Sequence, residues 1–217
     1  MSFRYVTSVL LLCFLLVSCK YEVDTNKKVL DAKASEVKNL LNDVSAKNAD
    51  GTINAIIEIP AGGLEKWELN KSSGKIERDY ADGKPRTIDY LGYPANYGLI
   101  PQTLLSKENG GDGDPLDVIV LGPSIKRGSV VKAKLIGVLR LKDRGEQDDK
   151  LVAISSDAPF YEINDIHEIS NNYEGLLDII ELWFSNYKGP GKMQSDGYGN
   201  KAYAEKILQA AIEDYKS

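Results

Sequence analysis

Asp112, Asp114 and Asp117 crowd three carboxylates into six residues, with Gly110 and Gly111 before them, Gly113 among them and the apolar run Val118-Ile119-Val120 directly after. The pattern reads as a tight glycine-rich loop feeding a buried strand. Like charges this close repel, so the cluster needs protons or cations to be tolerable at the mouth of a core strand. Hard divalent cations with oxygen ligands, Mg²⁺ above all, are the natural remedy. A second cluster, Asp143, Glu146, Asp148 and Asp149, places four carboxylates in seven residues and is closed by Lys150. Read alone, either cluster is a solvated acidic turn. Taken together, two acidic loops at strand ends can face one another across a pocket that holds several divalent cations.

A calcium-binding EF-hand loop is excluded. Begun at Asp112, it would place Asp117 where the loop needs glycine and Pro123 where it needs a bidentate glutamate. Several Mg²⁺ ions suit a highly charged phosphate substrate, whose remaining oxygens call for cationic side chains. Lys66, Arg86, Lys150 and Lys188 are the candidates, and tyrosines can donate further hydrogen bonds. Tyr93-Pro94-Ala95-Asn96-Tyr97-Gly98 lies in a segment with little helical or strand pattern and is a candidate pocket wall. Residue chemistry alone thus reaches metal-dependent hydrolysis of a phosphoryl group.

Composition removes other classes. The chain has 217 residues, 42% hydrophobic and 27% charged, with a formal charge of −5. It is long enough for one domain with a sizeable core. Its acidic balance and lack of a basic cluster argue against a nucleic-acid partner. Cys13 and Cys19 are the only cysteines and His167 the only histidine. A thiolate or histidine-rich zinc site is therefore excluded, and any metal must be held by oxygen.

The elements that must position these groups follow in chain order. Val9 to Val17 is a short apolar run after Arg4, too short to span a membrane as a permanent helix, and Leu16-Val17-Ser18-Cys19 resembles the bacterial lipobox. Residues 1–18 are expected to be a lipoprotein signal peptide, and lipidated Cys19 an anchor to a membrane surface. Residues 19–50 read as a tether and N-terminal helix, with Val29, Ala32, Val37, Leu40, Leu41 and Val44 at loosely helical spacing between Lys27 and Val44. Residues 51–217 form the expected catalytic domain. Strands are predicted over Thr52–Pro60, Lys66–Asn70, Lys75–Arg78, Arg86–Ile88, Val118–Leu121, Ser129–Lys142 and Leu151–Ile154, with Gly137 as a bulge or bend. These short strands suggest an antiparallel sheet closing into a barrel. Asp165–Tyr187 and Lys201–Tyr215 read as helices, the first with Leu176, Leu177, Ile179, Ile180, Leu182, Trp183 and Phe184 on a core-packing face. The class is α+β.

The run Asp112-Gly113-Asp114-Pro115-Leu116-Asp117-Val118 resembles the D-x-D-P-x-D-V signature of the family I (soluble) inorganic pyrophosphatases. Glu58-Ile59-Pro60, Lys66-Trp67-Glu68-Leu69, Tyr93 to Gly98, Asp143 to Lys150 and Tyr187-Lys188 match that family's other blocks, in order and near its spacing. The resemblance covers roughly residues 51–217 and implies an OB-like, five-stranded closed β-barrel with flanking helices. It further implies that Asp112, Asp117 and Asp148 bind the metal pair holding the attacking water, with Asp114 as general base. Asp143 and Asp148 would hold a third ion, and Glu68 and Glu58 would act through water on a further one. Lys66, Arg86, Tyr97, Lys150, Tyr187 and Lys188 would bind phosphate, with Arg78 the rival to Arg86 and Tyr93 behind them. The implied reaction is Mg²⁺-dependent hydrolysis of pyrophosphate to two phosphates. Trp67, Gly98 to Thr103 and Trp183 to Lys188 lean toward the eukaryote-like branch, which implies a homo-oligomer, a dimer rather than a hexamer. The competing readings are a non-catalytic lipoprotein that binds phosphate or metal, and a phosphohydrolase for larger polyphosphates.

Overall fold

The computed structural model describes residues 39–217 apart from Gly110; Cys19, the signal peptide and positions 27–38 of the predicted helix lie outside the described residues. Strand β1 (Ile53–Ile59) is built from β-branched residues that suit a pleated, buried surface. It is followed by β2 (Trp67–Asn70), β3 (Lys75–Arg78), β4 (Tyr80–Ala81), β5 (Lys84–Pro85), β6 (Asn96–Leu99), β7 (Asp117–Leu121), β8 (Val130–Asp143), β9 (Glu146–Gln147) and β10 (Lys150–Ser155). Helices α1 (Ile166–Asn172) and α2 (Leu176–Asn186) precede β11 (Met193–Asn200), and α3 (Lys201–Lys216) ends the chain.

The main sheet runs β1-β6-β7-β10-β8-β11, and an additional β1–β8 pairing closes five of these strands into a ring. This is the α+β, OB-like barrel with flanking helices that the sequence leads one to expect. β2–β3 and β4–β5 form separate two-stranded sheets. The ring strands bury both faces. Ile119, Leu121, Val152 and Ile154 join a core shared with α1 and α2, while Val118, Val120, Leu151 and Ala153 join one shared with α3. At Gly137 the β8–β10 register slips, as a bulge requires: Val152 faces Gly137 and Ala153 faces Leu135.

Several expectations are corrected. The ring is not wholly antiparallel, because β7 and β10 pair in parallel, Val118 beside Leu151. Strands buried on both faces read as unbroken apolar runs, which do not reveal direction. Asn96–Leu99 is a central strand rather than an irregular wall. Arg86–Ile88 is not a strand; Thr87 makes only an isolated bridge to Glu65. Asp165–Tyr187 is two helices, parted where Gly175 takes φ +78°. On α2, Leu177, Ile180, Trp183 and Phe184 are buried as expected, but Ile179 and Leu182 are 63% and 66% exposed. β11 was not anticipated, since Met193–Asn200 carries Gln194, Ser195, Asp196, Asn200 and two glycines; pairing with the long β8 makes it a strand. Residues 39–44, the described part of the expected 27–44 helix, are turn and bend. They belong to the compact unit Asn39–Ser217, with Leu41 and Val44 buried.

Candidate active site

The parallel β7–β10 pairing sets the site. Both acidic loops enter the sheet at the N-terminal ends of these two neighbouring strands, so Asp117 and Lys150 stand side by side one residue before the paired Val118 and Leu151. Lys150 Nζ donates to Asp117 Oδ2 at 2.5 Å and also to Asp148 Oδ1. Two carboxylates that touch one ammonium are close enough to share one cation. Asp148 and Asp149 point to opposite sides, as successive extended residues must. Asp149 turns back into the sheet, accepting from the Leu141 N–H at 3.0 Å and from Gln147 Nε2 at 2.8 Å.

The first loop is laced to the segment after β6. The Gly113 N–H donates to Leu105 O at 2.8 Å and the Leu105 N–H to Asp114 O at 2.8 Å. The Asp114 N–H donates to Asp112 Oδ1 at 2.9 Å, and the Leu116 N–H to Thr103 Oγ1 at 2.9 Å. Gly113 sits at φ +89°, a conformation that glycine adopts without penalty.

These loops open onto a cavity of about 270 Å³. Its lining holds Glu58, Lys66, Glu68, Arg86, Tyr97, Asp112, Asp114, Asp117, Asp148, Lys150, Tyr187 and Lys188. Asp143 lines an adjoining groove with Arg86, Tyr187 and Lys188, and is tied to the cavity by Lys188 Nζ at 2.8 Å. Arg86 lines the cavity and pairs with Asp79. Arg78 does not reach it: its guanidinium pairs with Glu65 at 3.0 Å and donates to Arg86 O at 2.9 Å. Tyr93 is buried behind the cavity, 5.2 Å from the Tyr97 ring and 4.5 Å from Trp183. Trp183 in turn stacks on Tyr187 at 4.6 Å, which fixes that tyrosine and the following Lys188. Lys71 also lines the cavity, and its Nζ lies 2.5 Å from Asp114 Oδ1. Sequence reading passed over it because a lysine on a hairpin turn reads as solvated; only the fold of the hairpin brings it to the acidic loop.

Burial and charge work against one another here. Burial, with Asp117's charge added, pushes the Glu58 carboxyl up to about 8, although the Leu69 N–H bonds it. Burial would lower Lys150, but Asp117 and Asp148 overcome it and hold the ammonium charged far above the usual range. Lys66 is likewise raised, its burial outweighed by Glu68, Asp117 and Glu58. Lys188 is raised too, burial being overcome by Tyr187, Asp143 and Asp148. Burial raises Tyr97 well above the usual phenol value, and Asp117 adds to it, so its hydroxyl keeps its proton. Asp112 is raised by burial and by its acidic neighbours. For Asp143, burial opposes ionisation but Lys188 outweighs it and lowers the value.

The donor set fits a hard cation. All the candidate ligands are carboxylates, and Asp143 Oδ1 is buried with no hydrogen-bond partner. Among the described residues no three acidic, histidine or cysteine side chains form a ready-made metal cage. Mg²⁺ needs only one or two carboxylates, with water and substrate phosphates completing its shell.

Comparison with known proteins agrees with this chemistry. The sequence model of the family described as inorganic pyrophosphatase matches residues 55–216. The inorganic pyrophosphatase of Corynebacterium glutamicum is 38% identical over 170 residues, covering 76% of this chain and 99% of that protein. The solved inorganic pyrophosphatase of Helicobacter pylori superposes with a TM-score of 0.69 at 34% identity, covering 81% of this chain and 100% of the other. The type I inorganic pyrophosphatase of P falciparum gives 0.74 at 30% identity over 82% of this chain, which spans 63% of that longer protein. The extent and identity of these matches show that the chain belongs to the inorganic pyrophosphatase family.

Proposed function

We propose that this protein hydrolyses inorganic pyrophosphate to two phosphates with Mg²⁺, on a lipoprotein anchored through Cys19. The observation that carries the reading is one cavity whose lining alternates metal-suited carboxylates with lysine, arginine and tyrosine donors. Asp112, Asp117, Asp143 and Asp148 would hold Mg²⁺, with Glu68 and Glu58 acting on it through water. Bound there, Mg²⁺ would neutralise substrate charge and lower the pKa of water. Asp114 would serve as the general base toward the attacking water. Lys66, Arg86, Lys150 and Lys188 supply charge to the phosphate oxygens, and the Tyr97 and Tyr187 hydroxyls donate hydrogen bonds. The lysines stay cationic because their carboxylate neighbours hold them so, and these contacts also preposition them before substrate arrives.

The test is phosphate release from pyrophosphate with Mg²⁺ by the purified chain. Asp114→Asn is expected to lower kcat by about 10²–10⁴-fold, the usual weight of a general base. Undiminished turnover by this variant refutes the assignment. Binding of phosphate or Mg²⁺ without turnover would favour the non-catalytic reading, and preference for longer chains in a substrate panel the polyphosphate one.

The anchor rests on the apolar run and the Leu16-Val17-Ser18-Cys19 box, with residues 1–18 removed, 19–50 as tether and 51–217 as the catalytic domain. Residues 39–50 belong to the compact unit Asn39–Ser217. Membrane fractionation of wild type against Cys19→Ala tests the exported, membrane-anchored location. The assembly is a homodimer rather than a hexamer, which sedimentation equilibrium measures.

A further inference from the structure

Among the cations that line the cavity, Lys71 is the one to which the family resemblance assigns no role. It stands on the turn between β2 and β3, outside the barrel ring, yet its Nζ reaches Asp114 Oδ1 at 2.5 Å and Gly113 O at 3.1 Å. The turn is built to hold it. Asn70 Oδ1 accepts from the Ser72 and Ser73 N–H groups at 2.9 and 3.1 Å. Ser73 Oγ and Asn70 Nδ2 both donate to Glu77, at 2.7 and 2.9 Å. From the other side, the Leu40 N–H donates to Gly74 O at 2.9 Å. Gly74, at φ +67°, lies so close to Asn39 that an added Cβ would stand 2.2 Å from its side chain. The segment around Leu41 is itself fixed: Gln102 donates to Leu41 O and Asn42 O, and the Tyr215 hydroxyl to Asn42 Oδ1 at 2.7 Å.

Asp114 is held differently at its two ends. Its backbone is bonded on both sides, through Asp112 Oδ1 and the Leu105 N–H. Its carboxylate has Lys71 as its ion-pair partner and is 56% exposed. A side chain that must aim an oxygen at a reacting proton loses rate if it samples other rotamers. We infer that Lys71 is a positioning residue: carried on a turn that the 39–42 segment braces at Gly74, it fixes the Asp114 carboxylate for proton transfer. Both partners are more than half exposed, so the pair adds little to folding. A defect in Lys71 variants therefore reads out on turnover and not on stability.

The inference rests on Asp114 being the base, and the experiment separates the two. Full-length wild type, Lys71→Met, Lys71→Arg, Asp114→Asn and the double variant Asp114→Asn/Lys71→Met are assayed on pyrophosphate with saturating Mg²⁺. Lys71→Met is expected to lower kcat by about tenfold, with KM within about twofold of wild type and an unchanged melting temperature, as for a misaimed group. Lys71→Arg restores most of the loss. In the Asp114→Asn background, Lys71→Met is expected to change kcat by less than about twofold, because a residue acting through another loses its effect once that partner is gone. Three results overturn the inference: full kcat in Lys71→Met, a defect confined to KM, which would make Lys71 a phosphate ligand, or losses that multiply in the double variant. If Asp114→Asn itself keeps full activity, the assignment of the base fails, independently of the Lys71→Met result.

Discussion

Glu58 shows how strongly burial and neighbouring charge tune a single carboxyl in this site. Its side chain is buried beside Asp117 and Glu68, and burial pushes its carboxyl up to about 8 from the ordinary 4.5. The folded value lies above the unfolded one, so ionisation is penalised in the folded state alone. Stability is then full below about 4.5 and is lost as pH rises through about 8. In chelator-treated protein, Glu58→Gln keeps the acceptor for the Leu69 N–H and removes the charge. It is expected to be more stable than wild type at pH 9 by about 2 kcal/mol or more, and equal at pH 4, by urea denaturation at both values. A wild-type curve flat between these pH values would contradict the account. Lys150 is the opposite case. Its ammonium, 3% exposed, is retained because Asp117 and Asp148 replace the water it gave up.

At the scale of elements, the decisive contacts are backbone to backbone. Gly98 in β6 passes so close to β1 that an added Cβ would lie 1.8 Å from Ile56 O. Gly98→Ala is expected to cost about 3 kcal/mol or more, because no flexible side chain can yield to the new methyl. The midpoint of chemical denaturation measures this, and turnover of the remaining folded fraction should fall as well, since Tyr97 is the adjacent residue. The pattern of Tyr93 to Gly98 was legible as a pocket wall but not as a strand. Pro94 and Gly98 both punctuate a propensity reading, while neighbouring strands on either side supply hydrogen bonds that local sequence cannot display. β11 was missed for the same reason: partnership with β8 overrides a polar, glycine-rich composition. Gly175, by contrast, lay within the predicted helix as a visible breaker, and the structure uses it as one.

For the whole molecule, the acidic cavity is a linked system. Among the described residues, lysines alone neutralise Asp114, Asp117, Asp143 and Asp148 within ion-pair distance. A cation that binds the folded state and not the unfolded chain stabilises it by mass action. Mg²⁺ at about a hundred times its dissociation constant is expected to raise folding stability by about 2.7 kcal/mol. Thermal melts across a Mg²⁺ titration measure this, and a melting temperature indifferent to Mg²⁺ would argue against the carboxylates as its ligands. Chelation should abolish turnover while leaving the barrel folded, because its two cores are apolar and owe nothing to metal.

The sequence by itself determined which chemistry is available. Carboxylate spacing, the lack of cysteine and the single histidine in the body, and β-branched runs bounded by glycine turns are local properties, and local properties are written in the order of residues. It also determined the class of fold, since alternating short strands followed by helices admit few arrangements. The tertiary structure decided what no local pattern encodes. It set the direction of β10 beside β7, which brings two loops more than 25 residues apart to one end of the sheet. It chose Arg86 over Arg78 for the cavity, and it folded the β2–β3 turn so that Lys71 meets Asp114. Strand direction and loop convergence depend on hydrogen bonds between distant segments, and those partners exist only once the barrel has closed.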